Sequence, residues 1–188
     1  WPEPAPGPQG QPGKNVVYLA ASLRNGGILA VGEGLREASD TIGWNLEILD
    51  ARGEAGAVDQ ALTRLLETPP DALVVGGFDA KAHAEALNAL AETGTEIVAW
   101  HAGPAPGPIA GTPVKLNVTT DPLEVAQVAA AYAIQITDGA AGAVVFTDAR
   151  YGIALTKSDE MARVIDACGG CEVLEIVNLK LDETQRLM

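Results

Sequence analysis

The chain of 188 residues is long enough for one ordinary domain or two small lobes with a sizeable core. It carries 25 acidic against 12 basic side chains, a formal net charge of −13, so nucleic acid and anionic membrane surfaces are repelled and are not expected partners. A hydrophobic content of 47% with few aromatic residues favours a packed α/β layer structure. No apolar run reaches the roughly 18 residues of a membrane-spanning helix.

The chain opens with WPEPAPGPQGQPG, which is almost entirely Pro, Gly and polar residues. Such a segment cannot bury a core, so we expect an extended, polyproline-like tether over residues 1–13, with a recognition motif for a proline-binding module as the alternative. No signal peptide is present, but the chain begins with Trp1 rather than Met. We therefore expect a processed start, and the missing signal does not indicate a cytoplasmic location.

Four strand–helix periods follow between residues 16 and 103. The predicted strands are short apolar runs at 16–21, 45–50, 72–75 and 96–100. The predicted helices have apolar residues at helical spacing, at 29–38, 58–66 and 80–91. Gly43, Pro69 and Gly94 mark the ends of these helices. This alternation predicts a parallel sheet with helices on both faces.

A Pro- and Gly-rich loop at 104–113 interrupts the rhythm, as functional loops and lobe boundaries do. The elements predicted after it are an extended segment at 114–119, a helix at 123–137, a strand at 143–147, a helix at 153–167, a strand at 172–177 and a helix beginning at 182. The helix predicted from 182 stops after one turn, which is too short to cover the strand at 172–177. We therefore predict a full N-terminal lobe over 14–118 and a partial C-terminal lobe over 119–188.

Because ligands of open parallel sheets bind beyond the carboxyl ends of the strands, we expect the site in the turns that follow them. The candidate ligand-binding residues stand at strand ends, in those turns or at the lobe junction: Arg24, Asn25, Phe78, Asp79, Trp100, His101, Asp121, Asp148, Arg150 and Tyr151.

These side chains suit a small polar ligand. Arg24 favours a carboxylate or phosphate, Trp100 or Phe78 offers a stacking face, and a neutral His101 both donates and accepts. Arg150 is the expected counter-charge from the second lobe. Structural alternatives stay open: a left-handed turn residue for Asn25, a core residue for Trp100, a helix N-cap for Asp121 and a surface ion pair for Arg150.

Cys168 and Cys171 form a C-x-x-C motif between a predicted helix end and a strand start. A redox-active pair would precede a helix, whose N-terminus lowers the thiol pKa, so the reversed order favours a structural disulfide in an oxidising compartment. No metal site is expected, because the motif lacks a second half and His83 lies within a helical pattern. Phosphate-loop, dinucleotide and serine-hydrolase motifs are absent, so we expect no cofactor and no enzyme.

Five motifs occur in a characteristic order: Asn25 in the first turn, GGFDA after the third strand, WH after the fourth, NVTTD at 117–121, and FTDARY in the second lobe. Their order and spacing resemble the type I periplasmic solute-binding proteins, in the sugar-binding branch that includes ribose-binding protein and shares its fold with the effector domains of LacI-type repressors. Two departures disfavour a simple pentose or hexose. Gly27 and Ile28 replace an aromatic pair, and His101 and Ala102 replace an Asp-Arg pair.

The resemblance implies an α/β fold of two Rossmann-like lobes with parallel sheets, the second lobe incomplete. It also implies hinge closure around a sugar, polyol or related molecule, delivery to the permease of an ABC importer, and a periplasmic or membrane-tethered extracellular location. The alternative is the ligand-sensing domain of a LacI-like regulator or receptor.

Overall fold

In the computed structural model, which describes residues 10–54 and 56–180, the strand–helix alternation becomes two separate parallel sheets. The first sheet contains β1 (Asn15–Ala20), β2 (Asn45–Asp50), β3 (Ala72–Gly76), β4 (Glu96–Trp100) and β5 (Asn117–Val118), and the second contains β6 (Gly142–Thr147) and β7 (Glu172–Asn178). The helices are α1 (Gly26–Ile42), α2 (Ala57–Glu67), α3 (Ala84–Glu92), α4 (Pro122–Ile136) and α5 (Gly152–Asp166).

The first sheet has the strand order β2-β1-β3-β4-β5. Right-handed crossovers put α1 on one face and α2 and α3, which pack against each other, on the other face. Covered on both sides, β1 is buried from Val16 to Ala20, which explains its unbroken apolar sequence. The direction of winding reverses between β1 and β3, so their carboxyl ends form the switch point at which ligands of such sheets bind.

Tyr18 links three elements around β1. Its side chain is fully buried, and its hydroxyl donates to the carbonyl oxygen of Ile28 in the first turn of α1 at 2.9 Å. Burial raises the pKa of this hydroxyl. The ring fills the space beside Gly76 of β3, where any Cβ atom would overlap it. The sequence therefore needs a glycine at the end of β3 to admit this tyrosine.

The second sheet is smaller. β6 and β7 run parallel with a register shift at Ala143, and α5 packs against both strands and against α4. Phe146, Leu174 and Ile176 are exposed on these two strands. The first sheet ends at Val118, the residue after which the second lobe was predicted to begin. The domain boundaries themselves stay a prediction.

The described elements agree with the predicted ones apart from their ends and two local differences. Gly43 ends α1 as predicted, with a φ of 76°. The helix predicted at 80–91 begins as a 3₁₀ turn over Ala80–His83, because the Asp79 side chain accepts from the amide of Lys81 and tightens the first turn. Of the extended segment at 114–119, only Asn117 and Val118 join the sheet.

The predicted tether and the last predicted helix fall mainly outside the described residues. Of the tether, residues 10–13 are described, and they pack back onto the first lobe. The Trp44 indole donates to the carbonyl oxygen of Gln11 at 2.8 Å, and the amide of Gly13 donates to Gly43 at 2.6 Å. Among the helices described here, none is both long and apolar enough to cross a membrane.

We predict that Y18F lowers the free energy of unfolding by about 1 kcal/mol, since it leaves the carbonyl group of Ile28 without its donor. G76A should cost about 1–3 kcal/mol, since its methyl group must displace the tyrosine ring. Urea denaturation followed by circular dichroism measures both. The matched control is Y132F on the outer face of α4, where the side chain is 63% exposed and the change should stay within about 0.5 kcal/mol. Equal effects of Y18F and Y132F would contradict the assignment.

Candidate functional site

A cavity of about 300 Å³ lies between the lobes, where the carboxyl ends of β1, β3 and β4 face β6 and the first half of α5. The first lobe lines it with Asn25, Ile28, Gly77, Trp100 and His101. The second lobe lines it with Phe146, Thr147, Tyr151, Ile153, Ala154, Lys157, Ser158 and Met161. This mixture of aromatic, aliphatic and hydrogen-bonding groups is typical of a small-molecule site, and the volume lies at the lower end of the usual range of about 300–1,000 Å³.

A second cavity of about 250 Å³ adjoins the first. The two share Gly77, His101, Tyr151 and Ile153, and the second adds Asp79 and Lys81. A larger depression, of about 790 Å³, lies elsewhere, beside the amino ends of β1 and β2 and the end of α2. Residues of the first lobe alone line it, and it is remote from the strand ends at which ligands of parallel sheets bind. The inter-lobe cavities are therefore the candidate site.

Asn25 caps α1 and faces the cavity from the first lobe. Its side-chain oxygen accepts from the amides of Gly27 and Ile28 at 3.0 and 3.3 Å. Its φ is −80°, so the alternative interpretation as a left-handed turn residue is wrong. The cap leaves the amide group of the side chain as the part that could contact a ligand.

Trp100 occupies space that a side chain at position 27 would need. A Cβ atom at Gly27 would lie 3.3 Å from the Cη2 atom of Trp100 and 3.3 Å from the Oδ1 atom of Asn25. The indole is half-buried, packs partly against the core of the first lobe and also lines the cavity. Trp100 is therefore in part a core residue, and its contact with a ligand stays a prediction.

His101 follows Trp100 with a φ of 50°, a left-handed conformation that few residues adopt and that is common at functional sites. Its ring meets the indole edge to face, with centroids 4.2 Å apart. Nδ1 lies 2.8 Å from the hydroxyl of Thr119, in a hydrogen bond whose donor is set by the tautomer of the ring. Burial, and to a smaller degree the positive charge of Lys157, lower the pKa of His101.

Asn117 holds the loop that carries His101. Its fully buried side chain accepts from the amide of Ala102 at 3.0 Å and donates to the carbonyl oxygens of Gly103 and Ala105 at 3.2 and 2.9 Å. One amide group thus pairs with three backbone groups of an otherwise irregular loop. Asn117 was predicted only as part of the NVTTD motif, without this positioning role.

The second lobe reaches the first through Tyr151, whose ring packs against the core of the first lobe and lines both cavities. Next to it, Arg150 makes a two-pronged ion pair with the buried carboxylate of Asp148, at 2.9 and 2.6 Å. The guanidinium carbon also lies 5.5 Å from the centre of the Tyr151 ring. In this arrangement Arg150 positions the turn after β6.

The structure brings five of the ten candidate residues to the cavities: Asn25, Asp79, Trp100, His101 and Tyr151. The other five do not line them. Arg24 lies in a separate depression, where it donates to the carbonyl oxygen of Arg52 at 2.7 Å, and Phe78 is buried in the core against His83. Asp121 caps α4, and Asp148 and Arg150 pair with each other. For these five, the prediction of ligand contact has no support from the geometry.

Lys157 and Ser158 were not predicted, although both line the larger cavity. The hydroxyl of Ser158 is buried and donates to the hydroxyl of Thr147 at 3.2 Å. Both residues lie within α5, and only the packing of the lobes shows which face of that helix meets the cavity. A sequence signal existed in the apolar spacing of the helix, in which Ile153, Lys157 and Met161 share one face.

Cys168 and Cys171 are joined by a disulfide in the turn between α5 and β7, with Cα atoms 5.3 Å apart. Across residues 10–54 and 56–180, no group of three or more His, Cys, Asp or Glu side chains is arranged to hold a metal ion.

The chain matches the periplasmic binding protein domain family over residues 16–187 and belongs to that family. A comparison with curated proteins found no match. Among solved structures it is similar to a myo-inositol binding protein from Caulobacter in complex with myo-inositol, at 19% identity and a TM-score of 0.77, over 93% of this chain and 58% of that one.

Two further structures have the same fold. One is an ABC transporter solute-binding protein from Burkholderia graminis in complex with D-arabinose, at 10% identity and a TM-score of 0.75, over 89% of this chain and 56% of that one. The other is the Cra transcriptional dual regulator from Pseudomonas putida in complex with fructose 1-phosphate, at 13% identity and a TM-score of 0.67, over 87% and 57%. The chain therefore spans under two thirds of these proteins, and the two-lobed α/β fold is the one expected.

We predict that N117A lowers the free energy of unfolding by about 2–3 kcal/mol, since it leaves the buried amide of Ala102 unpaired and frees two carbonyl groups. Urea denaturation measures the loss, and hydrogen exchange at the Ala102 amide should speed up in the variant. The matched control is N88A on the exposed side of α3, for which a change below about 0.5 kcal/mol is expected. If N88A and N117A behave alike, Asn117 does not hold the loop.

We predict that H101N makes stability less sensitive to acid. The pKa of His101 is lower in the folded chain than the ordinary value of 6.5, so the unfolded state takes up a proton first as the pH falls. Wild-type stability is thus lost as the pH drops through about 6.5 and levels off below the folded-state pKa. Asn tolerates the left-handed backbone and does not titrate.

The measurement is the free energy of unfolding of wild type and H101N at pH 7.5 and pH 5. The wild-type value minus the H101N value should be smaller at pH 5. An unchanged difference would show that His101 does not titrate with a lowered pKa.

Proposed function

We propose that this protein is an exported solute-binding protein that captures a small polar molecule between its two lobes and delivers it to an ABC importer. The observation that carries the proposal is the cavity of about 300 Å³, which residues of both lobes line. In this proposal the lobes span 14–118 and 119–188, residues 1–13 are a tether, and the protein binds its ligand without catalysing a reaction.

A sugar, polyol or related molecule is the proposed ligand class. Trp100 supplies an apolar platform for the C–H face of such a ligand, while Asn25, His101 and Tyr151 supply groups for its hydroxyls. The related structures hold D-arabinose and myo-inositol, which supports this class. Trp100 above Gly27 would provide the stacking surface that the first turn of this chain lacks.

A periplasmic or membrane-tethered extracellular location agrees with two features. Members of this family act outside the cytoplasm, and the disulfide between Cys168 and Cys171 favours an oxidising compartment. The permease of the importer is the proposed partner.

The alternative is the ligand-sensing domain of a regulator or receptor, which the likeness to the Cra regulator favours. The N-terminal region of the precursor discriminates the two. A signal peptide or lipobox ahead of Trp1 supports transport, whereas a basic helical DNA-binding domain supports regulation and overturns the transport proposal.

We predict that the intact protein binds at least one member of a panel of sugars, polyols, nucleosides and small acids in isothermal titration calorimetry. W100L should weaken that binding about tenfold, because it removes the stacking face. The matched control is W44L, on the far side of the first lobe, where Trp44 contacts Gln11 and not the cavity. Its affinity should stay within about twofold of wild type.

If no member of a broad panel binds, the proposed function is wrong. If W44L and W100L weaken binding equally, Trp100 is not the stacking face. Thermal unfolding of both variants without ligand separates loss of affinity from loss of fold.

A further inference from the structure

The larger of the two inter-lobe cavities, that of about 300 Å³, differs in charge from the chain as a whole. The chain carries 25 acidic side chains, yet within the described parts of the chain no Asp or Glu lines this cavity. Lys157 is the only Lys or Arg among the described residues that line it. The adjoining cavity holds Asp79 beside Lys81, so its charges are balanced. A strongly acidic protein thus presents an uncompensated cation at its candidate site.

Lys157 has no ion-pair partner among the residues that the structure describes, whereas several other cationic side chains have one. Lys14 pairs with Asp71, Lys115 with Glu96, and Arg163 with Glu160. Among the ion pairs of residues 10–54 and 56–180, none includes Lys157. Its side chain is half-buried in the second turn of α5. A cation that lines a cavity without a neighbouring carboxylate favours an anion bound beside it.

The groups around Lys157 favour the same ligand charge. His101 faces it from the first lobe, and its lowered pKa keeps it neutral at physiological pH, so it adds hydrogen bonds without a second charge. Tyr151 is the N-cap residue of α5 and lines the cavity together with Ile153 and Ala154 of the first turn, so the positive end of the helix dipole lies beside the cavity. Ser158 and Asn25 provide further hydrogen-bonding groups.

We propose that the ligand is a polyhydroxylated molecule that carries one anionic group, and that Lys157 binds that group in the larger cavity. This inference rests on the proposed function and specifies the class of its ligand. A solvent-exposed lysine with no binding role is the alternative, and it predicts no preference for charge.

The test compares neutral and anionic molecules with the same carbon skeleton, in calorimetric titrations of the intact protein. The probes are D-glucose, D-glucuronate and D-glucose 6-phosphate, with the pair sorbitol and D-gluconate as a second set. The expected result is tighter binding of an anionic member than of its neutral counterpart by about tenfold or more. Comparison of the two carboxylates, D-glucuronate and D-gluconate, with D-glucose 6-phosphate shows which anionic group the site accepts.

K157Q should weaken binding of the anionic probe about tenfold or more, while K157R, which keeps the charge, should restore most of the loss. The matched control is K115Q, which removes the same charge from an exposed lysine of the first lobe and should change affinity less than about twofold. Thermal unfolding without ligand verifies that each variant is folded.

Two outcomes overturn the inference alone: neutral probes that bind as tightly as their anionic counterparts, or an equal loss of anion affinity in K157Q and K115Q. Failure of every probe and of the broader panel overturns the proposed function together with it.

Discussion

The position of the candidate site depends on one buried amide. Parallel strands deliver their ends to a common edge, but the start of the long loop between β4 and β5 lies outside any ladder, and the one bridge within the loop joins Gly107 to Asn117. Asn117 supplies the missing bonds by pairing with Ala102, Gly103 and Ala105. An unpaired polar group in the interior costs free energy, so this side chain can be satisfied only where the loop takes this path. The left-handed backbone of His101 is held by that constraint.

Trp100 fills the space beside Gly27, in the turn where the resemblance leads one to expect an aromatic pair. The first turn has no side chain at Gly27, and the indole of Trp100 reaches from β4 into that space. Because Trp100 is anchored at the end of a strand, its ring is held more firmly than a turn residue would be. Its edge-to-face contact with His101 fixes the orientation further. In the proposed function, this indole serves as the aromatic platform that positions 27 and 28 lack.

The sequence predicted the strand–helix periods, the parallel sheets and the edge that carries the site, because each depends on periodicity and on glycine and proline positions. It did not distinguish turn residues that face the cleft from those that serve the turn. Arg24 and Asp148 have the chemistry of ligand contacts, but local partners engage them. Lys157 reaches the cavity from within a helix, where the sequence shows an amphipathic face but not what that face meets.

A net charge of −13, taken alone, opposes an anionic ligand. At physiological ionic strength, however, charges are screened over about 8 Å, so distant surface carboxylates contribute little to the potential inside a partly enclosed cavity. Lys157 lines the cavity itself, in surroundings where screening is weaker than at the outer surface. Long polyanions contact the whole acidic surface and are repelled by it. A small anion that enters the cleft meets mainly the field of one lysine, so the same chain can exclude one class and bind the other.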